Sequence, residues 1–471
     1  MNRFINNIIQ DKSIQRRIFI LETLSNGQEF VSTTYIAKHL HCTIRTISKD
    51  IAQLKKELPQ NWEIIGVTTK GYMLIKPVTD STFPIINSYL TQSIIYEIMI
   101  SIFNNKYHTL EKWSQLLYVN KQTLKNNLKM YAHILKESNI DFTFKNLDLI
   151  GDEINIRHYY CVFFYSIQKF TANSLLPIEL RKKLLSIFHS YQISMDFEAL
   201  CSIIFVSMNR LFNKHLIDKT ICNVPIFNND YIEFFNAIII LIEDYFKIKL
   251  NENEINSMKL LMYFVTKNTS EQKELTIKHL SESNPKIYES YLTLIDRLIS
   301  NRADSVVRNK LMFNLDLYLS KIYLYNQNQL SIGYIFEPLY NINSILLQDY
   351  YKNISLISHW NEVSCDGIFN KYEIEFIATH ATIILNSIIR KHILFLFSGN
   401  NAVESVLHSK LKRGLGDNVR LYRELADDVE FDFIITNYQH KISTIPTIYI
   451  SEVLNVKEIL AIRNCVFNNS Y

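Results

Sequence analysis

Residues 32–59 read STTYIAKHLHCTIRTISKDIAQLKKELP, which spells two short helices joined by a tight turn. Ser32 is placed to cap the first helix, Val31 and Ile36 are spaced as a hydrophobic staple, and Ile36, Ala37 and Leu40 form an inward face. His41 and Cys42 make the turn. Thr43 can cap the second helix, whose Ile47, Ile51, Leu54 and Leu58 recur at the spacing of one buried stripe. Arg45, Thr46, Ser48, Lys49 and Ala52 are left facing out before Pro59 ends the helix. The outward face is short, polar and cationic.

Upstream, Ile14, Ile18, Leu21 and Leu24 keep helical spacing and Gly27 stops them, predicting a helix over about 13–25. Downstream, Trp62–Val67 and Tyr72–Lys76 read as a β-hairpin turning at Thr68-Thr69-Lys70-Gly71. Three helices and a wing make residues 1–80 a winged helix-turn-helix. A helix of this kind presents its amino-terminal side chains to base edges in the major groove while the wing holds the phosphate backbone. Arg45 and Lys49 are the primary candidates for contact, with Thr46, Ser48 and Lys70 of the wing beside them. The alternative is a winged helix that serves only protein contacts. Charge weighs against it: residues 1–80 hold 11 basic and 7 acidic side chains, which equals the whole chain's net +4.

A shift of 77 residues brings up a second copy. Thr109, Trp113, Leu117, Val119, Asn120, Thr123, Leu124 and Leu128 fall where Ser32, Ile36, Leu40, Cys42, Thr43, Thr46, Ile47 and Ile51 stand. Asn120 caps the second candidate recognition helix, whose outward residues are Lys121, Gln122, Thr123, Lys125 and Asn126. Phe142 to Arg157 alternates like a wing around Gly151. Residues 81–160 carry 8 basic and 7 acidic side chains, so this unit either binds DNA more weakly or only positions the first.

The rest of the 471 residues reads as folded chain, 48% hydrophobic and 20% charged with 9 Gly and 8 Pro. The greasiest run, Phe234 to Ile242, is too short to span a bilayer, and Met1 to Lys12 lacks the apolar core of a secretory signal, so a cytoplasmic, non-membrane protein is expected. Six scattered cysteines (Cys42, Cys161, Cys201, Cys222, Cys365, Cys465) form no metal-binding pattern. No metal, cofactor or catalytic residue is expected.

From about 165 to 390 the pattern is dense helix, faintly repeated: Glu254-Ile255 and Glu373-Ile374 are separated by the same 119 residues as Leu261 and His380. His392–Phe397 reads as a strand, followed by Ser398-Gly399-Asn400-Asn401 and a helix carrying Val403, Val406, Leu407 and Leu411. Phe431–Thr436 and Thr447–Ile450 read as further strands and Val456–Val466 as a closing helix, which predicts a three-layer α/β domain. Its one-glycine loop is a weak phosphate signal.

This order of parts resembles the Mga/AtxA-type virulence regulators, which carry phosphotransferase-system regulation domains. The resemblance implies a mainly α, multidomain chain: winged helix-turn-helix units at 1–80 and 81–160, all-helical regulation domains at 165–280 and 285–390, and an enzyme IIB-like dimerisation domain at 391–471. It implies a dimeric activator, not an enzyme, that meets double-stranded promoter DNA, RNA polymerase and either the phosphocarrier protein HPr or an enzyme II component. His380, after Tyr372-Glu373-Ile374 and Thr379, resembles the family's phosphorylated histidine, although a lone histidine on an apolar helix is ordinarily packing. Glu198-Ala199-Leu200-Cys201, with Arg210 twelve residues on, resembles the first domain's acceptor helix, but Glu198 replaces the histidine, either as a fixed mimic of the modified state or as an ordinary surface residue. Ser398 stands where a working enzyme IIB has its cysteine, with Ser405 closing the loop, so the thiolate nucleophile is missing. The alternatives are an RNA-binding antiterminator, which normally opens with a β-rich module, and a phosphotransferase-system phosphocarrier, which needs that cysteine.

Overall fold

The first described residues form a helix. In the computed structural model α1 (Arg3–Ile8) buries Phe4, Ile5 and Ile8, and the Phe4 ring lies 5.9 Å from that of Tyr159 and 6.2 Å from that of Phe163. The structure describes residues 3–26, 29–171, 173–221, 225–299, 305–330, 346–388, 391–416, 419–426, 429–439, 445–451 and 453–468. Gly27 and Cys222 lie outside them. The fold is mainly helical and forms two compact units, Met1–His279 with Lys321–Glu337, and Leu280–Ser320 with Pro338–Tyr471.

In the first unit, α2 (Lys12–Asn26), α3 (Thr33–His39) and α4 (Ile44–Glu57) precede the antiparallel hairpin β1 (Glu63–Val67) and β2 (Gly71–Ile75). Ile18, Leu21, Leu24, Ile36, Ile47, Ile51 and Leu54 are buried, as their spacing requires. Val31 adds a third, one-residue strand by exchanging backbone bonds with Tyr72 (2.8 and 3.0 Å), so the wing is tied to the start of the helix-turn-helix. Ser32 sits at the N-cap position, but its hydroxyl bonds the Thr34 hydroxyl and caps no backbone N–H.

After α5 (Phe83–Thr91) and α6 (Ile94–Phe103) the pattern repeats as α7 (Leu110–Leu116), α8 (Lys121–Glu137), β3 (Asp141–Thr143) and β4 (Asp148–Ile150). The second wing is shorter than its sequence suggested. It turns at 144–147, and Gly151 follows it; Arg157 belongs to α9 (Glu153–Gln168), not to a strand. The apparent alternation through Ile154 and Ile156 misleads because α9 is buried on nearly every side, so both residues are core positions of a helix.

Burial of α9 encloses charge as well. The Arg157 side chain, 0% exposed, forms a two-point pair with Glu254 (Nη2 to Oε1 3.0 Å) and donates from Nη2 to the His215 carbonyl (2.7 Å) and from Nε to Glu153 (3.1 Å). Arg210 donates to the same Glu153 at 2.6 and 2.9 Å. Two arginines and two glutamates thus neutralise each other where α9 meets α11 (Phe197–Phe212) and α13 (Glu252–Val265), with α10 (Ile178–Tyr191), α12 (Asn229–Phe246) and α14 (Ser270–Ser283) completing this helical region.

α15 (Pro285–Ile299), α16 (Ser305–Gln327), α17 (Leu347–Ser364) and α18 (Lys371–Ile388) follow. The internal repeat is visible in detail at the start of α13 and α18. Asn251 and Asn370, 119 apart, each accept through Oδ1 the N–H of Glu254 (2.9 Å) or Glu373 (3.1 Å), and both glutamates are buried.

The carboxy-terminal module is β5 (Lys391–Leu396), α19 (Asn401–Leu415), β6 (Val419–Tyr422), β7 (Phe433–Thr436), β8 (Thr447–Tyr449) and α20 (Val456–Asn468), with an all-parallel sheet ordered β6-β5-β7-β8. The edge strand β6 was not read from the sequence, and the layering differs too. Leu407, Leu411 and Leu415 of α19 and Ile462 and Val466 of α20 share one core with Ile393, Phe395, Phe433 and Ile435, so both helices cover the same face of the sheet. The described residues of the β6–β7 and β7–β8 connections include no helix that would supply a third layer.

Candidate nucleic-acid interface and regulatory positions

The outward face of α4 is held by what lies beneath it. Thr43 Oγ1 accepts the Thr46 N–H at 3.2 Å, Ile47, Ile51 and Leu54 are at most 1% exposed, and Asp50, 4% exposed, points inward among them. Asp50 accepts from Arg16 Nε at 2.6 Å and Ser13 Oγ at 3.2 Å, and that bond holds the Arg16 guanidinium above its usual pKa. Two turns on, Glu57 accepts from Arg17 (3.1 Å), Gln53 (2.7 Å) and the Tyr89 hydroxyl. Greasy contacts and ion pairs therefore anchor α4 to α2. The sequence pattern missed Asp50, because one acidic residue in an apolar stripe reads as noise until Arg16 is placed opposite it.

Arg45, Ser48, Lys49 and Ala52 are exposed on the other side, and Thr46 is half-buried, its hydroxyl 2.9 Å from that of Thr43. Among the described residues neither Arg45 nor Lys49 has an ion-pair partner. Lys70 is exposed at the tip of the wing, with Nζ 5.9 Å from the centre of the Phe30 ring. The tip depends on Gly71, whose φ of +103° suits glycine and whose added Cβ would lie 2.0 Å from the Val31 carbonyl oxygen.

In the second helix-turn-helix Asn120 Oδ1 accepts the Gln122 N–H at 2.8 Å, Leu124 and Leu128 are fully buried, and Lys121, Gln122, Thr123, Lys125 and Asn126 are all exposed. This face is partly self-satisfied: Lys121 pairs with Glu111, and Gln122 donates to Asn126 at 3.1 Å. The 77-residue repeat extends to single bonds. Cys42 N–H to Ala37 carbonyl (3.0 Å) is matched by Val119 to Ser114 (3.1 Å), and Leu40 to Ile36 (3.0 Å) by Leu117 to Trp113 (2.9 Å).

His380 lies on α18, partly buried, with its ring 4.1 Å from that of Phe376 and Nδ1 2.9 Å from the Phe376 carbonyl. A ring nitrogen facing a carbonyl carries the proton, so the lone pair of the neutral ring sits on Nε2. Burial lowers the His380 pKa, with the Phe376 bond opposing, which favours the neutral ring. Glu198 occupies a cleft of about 490 Å³ with Gln168, Lys169, Arg181 and Asp196. Arg181 grips it from α10 (Nη1 to Oε2 3.0 Å) and lowers its pKa. Arg210 does not join it, being committed to Glu153. Ser398 is exposed in a loop that Asn437 clamps from both sides, accepting the Ser398 N–H and donating to its carbonyl at 2.8 Å each, while Ser405 lies exposed on α19. Among the described residues no side-chain group is arranged to hold a metal, and no helix is long and apolar enough to cross a membrane.

Residues 16–73 match the model of an HTH domain and residues 79–164 that of the Mga helix-turn-helix domain. The capsule synthesis positive regulator AcpB of Bacillus anthracis is 23% identical over 476 residues, covering 94% of this chain and 96% of that protein. The anthrax toxin expression trans-acting positive regulator of the same organism is 22% identical, covering 94% and 96%. The capsule synthesis positive regulator AcpA, also of Bacillus anthracis, is 25% identical over 146 residues, 31% of this chain and 30% of its own. Over nearly its whole length the chain is thus similar to the Mga/AtxA-type virulence regulators, with helix-turn-helix domains at its amino terminus.

Proposed function

We propose that this chain is a transcriptional activator of virulence-type genes, binding double-stranded promoter DNA through Arg45, Thr46, Ser48 and Lys49 of α4 and Lys70 of the wing. The observation that carries the reading is the two-sidedness of α4: a cationic face in solvent, backed by a face anchored through Ile47, Asp50, Ile51 and Leu54. Such a helix enters a groove without unfolding anything. Lys121, Gln122, Thr123, Lys125 and Asn126 form the second reading face, weaker because Lys121 and Gln122 already have partners in the chain. The names of the relatives, all positive regulators, support activation over repression and over the antiterminator and phosphocarrier alternatives.

Regulation is assigned to 165–280 and 285–390 as phosphotransferase-type domains and to 391–471 as an enzyme IIB-like dimerisation domain. The phosphoryl group of phosphorylated HPr or of an enzyme II component passes to Nε2 of His380, its bond to the donor's side chain breaking as the neutral imidazole forms the new P–N bond, and the added charge repacks the surroundings of α18. Glu198, a carboxylate held by Arg181, stands as a permanent negative charge at the corresponding place in the first domain. Dimerisation sets two reading heads on one duplex, from which RNA polymerase is recruited. Capture of genomic fragments on the purified chain, followed by footprinting, tests the DNA reading. Protected sites upstream of transcription starts are expected, and no retention above that of an unrelated acidic protein at physiological salt would overturn it.

A further inference from the structure

Both helix-turn-helix units turn on a side-chain-bearing residue in the left-handed region, His41 at φ 47° and Tyr118 at φ 53°, 77 positions apart. Glycine or asparagine takes that conformation most readily. The turn uses only the backbone of these residues: the His41 N–H donates to the Lys38 carbonyl (3.3 Å) and the Tyr118 N–H to that of Gln115 (3.4 Å). Their side chains do no internal work. Tyr118 is 96% exposed, His41 is exposed, and neither side chain has a hydrogen bond or ring contact among the described residues. Eight other described non-glycine residues share the left-handed conformation, none of them aromatic; what sets these two apart is an exposed ring with no such contact, at the same place in both units, which leaves it free for an external partner.

The location names that partner. Each ring lies two residues before the N-cap of a recognition helix, Thr43 or Asn120. Exposed Lys38, Arg45 and Lys49 lie within eight residues of His41 along the chain, and exposed Lys112, Lys121 and Lys125 within seven of Tyr118, Lys121 being paired with Glu111. When a recognition helix enters a groove, its amino-terminal turn meets the sugar–phosphate strand that borders the groove. We propose that Tyr118 and His41 are DNA-backbone contacts, the ring packing on deoxyribose and the hydroxyl or imidazole N–H donating to a phosphate oxygen. This rests on the reading of α4 and α8 as recognition helices.

A backbone contact carries no base identity, so a labelled mixed-sequence duplex suffices as probe for the full-length chain. Tyr118→Gly and His41→Gly are each expected to weaken binding about tenfold, the worth of one hydrogen bond to a charged group. Melting temperature should hold or rise, since glycine relieves the turn. For Tyr118→Gly the slope of log affinity against log salt should not change, because a neutral hydroxyl releases no counterion, whereas Lys121→Ala with Lys125→Ala should flatten it. Tyr118→Phe should recover part of the loss. If both glycine variants bind like wild type while the lysine pair weakens binding, the inference fails and the reading of α8 stands. If neither the glycine variants nor the lysine pair matters, both fail. Weaker binding with a lowered melting temperature would mark a structural role and also overturn the inference.

Discussion

Replacing Arg157 by Met tests how firmly the second helix-turn-helix is joined to the helical region behind it. The guanidinium is 0% exposed and its partner Glu254 is 1% exposed, so the substitution strands a carboxylate whose remaining donor among the described residues is the Ile217 N–H at 3.3 Å. The His215 carbonyl loses its bond as well, while Glu153 keeps Arg210. Breaking a buried pair from one side costs about 3–5 kcal/mol. At ~2–4 °C per kcal/mol for a large domain, this lowers the melting temperature by roughly 10 °C. Arg157→Met with Glu254→Leu removes both charges at similar volume, and its cost should fall well below the sum of the two single changes. Urea unfolding followed by circular dichroism gives all four corners of the cycle. Single variants that cost under ~1 kcal/mol, or a double variant that equals the sum, would refute the reasoning.

Gly71→Ala should cost about 3 kcal/mol or more and weaken DNA binding, since its Cβ would strike the Val31 carbonyl at 2.0 Å and detach the wing; unchanged melting would contradict the close approach. His158, fully buried on α9, has its pKa lowered to about 4 by desolvation. The unfolded chain therefore binds a proton that the folded one refuses, and stability should fall as pH drops from about 6.5 toward 4. His158→Phe should remove about 2–3 kcal/mol of that loss, checked by chemical denaturation at both ends of the window. His380→Ala and His380→Asp should give different promoter output in cells with an active phosphotransferase system; wild-type output from both would end the switch proposal.

Local patterning made the amino-terminal half readable. Ile47, Ile51 and Leu54 keep a strict helical stripe, Thr43 and Asn120 cap as polar residues at those places do, and the 77-residue repeat reaches individual backbone bonds. The second wing was misread because a helix buried all round loses its polar face, and Ile154-Asn155-Ile156 then imitates a strand. Polar burial was the other blind spot. Asp50, Arg157 and Arg210 look like surface charge until a distant partner is placed, and separations of 34 residues to Arg16 and 97 to Glu254 leave no mark in a local window. In the carboxy-terminal module the runs that become β5, β7 and β8 were legible and β6 was not, since Arg420 interrupts its short apolar run.

The account stands or falls on α4. Titrating a labelled promoter duplex with wild type and with Arg45→Ala plus Lys49→Ala, over a range of salt, measures it directly. Because both side chains are exposed, the variant should melt like wild type. It should bind about 100-fold more weakly, with a salt slope shallower by about two, as expected for two lost charged contacts to DNA. Equal affinity and equal slope in a folded variant would show that the duplex does not meet this face.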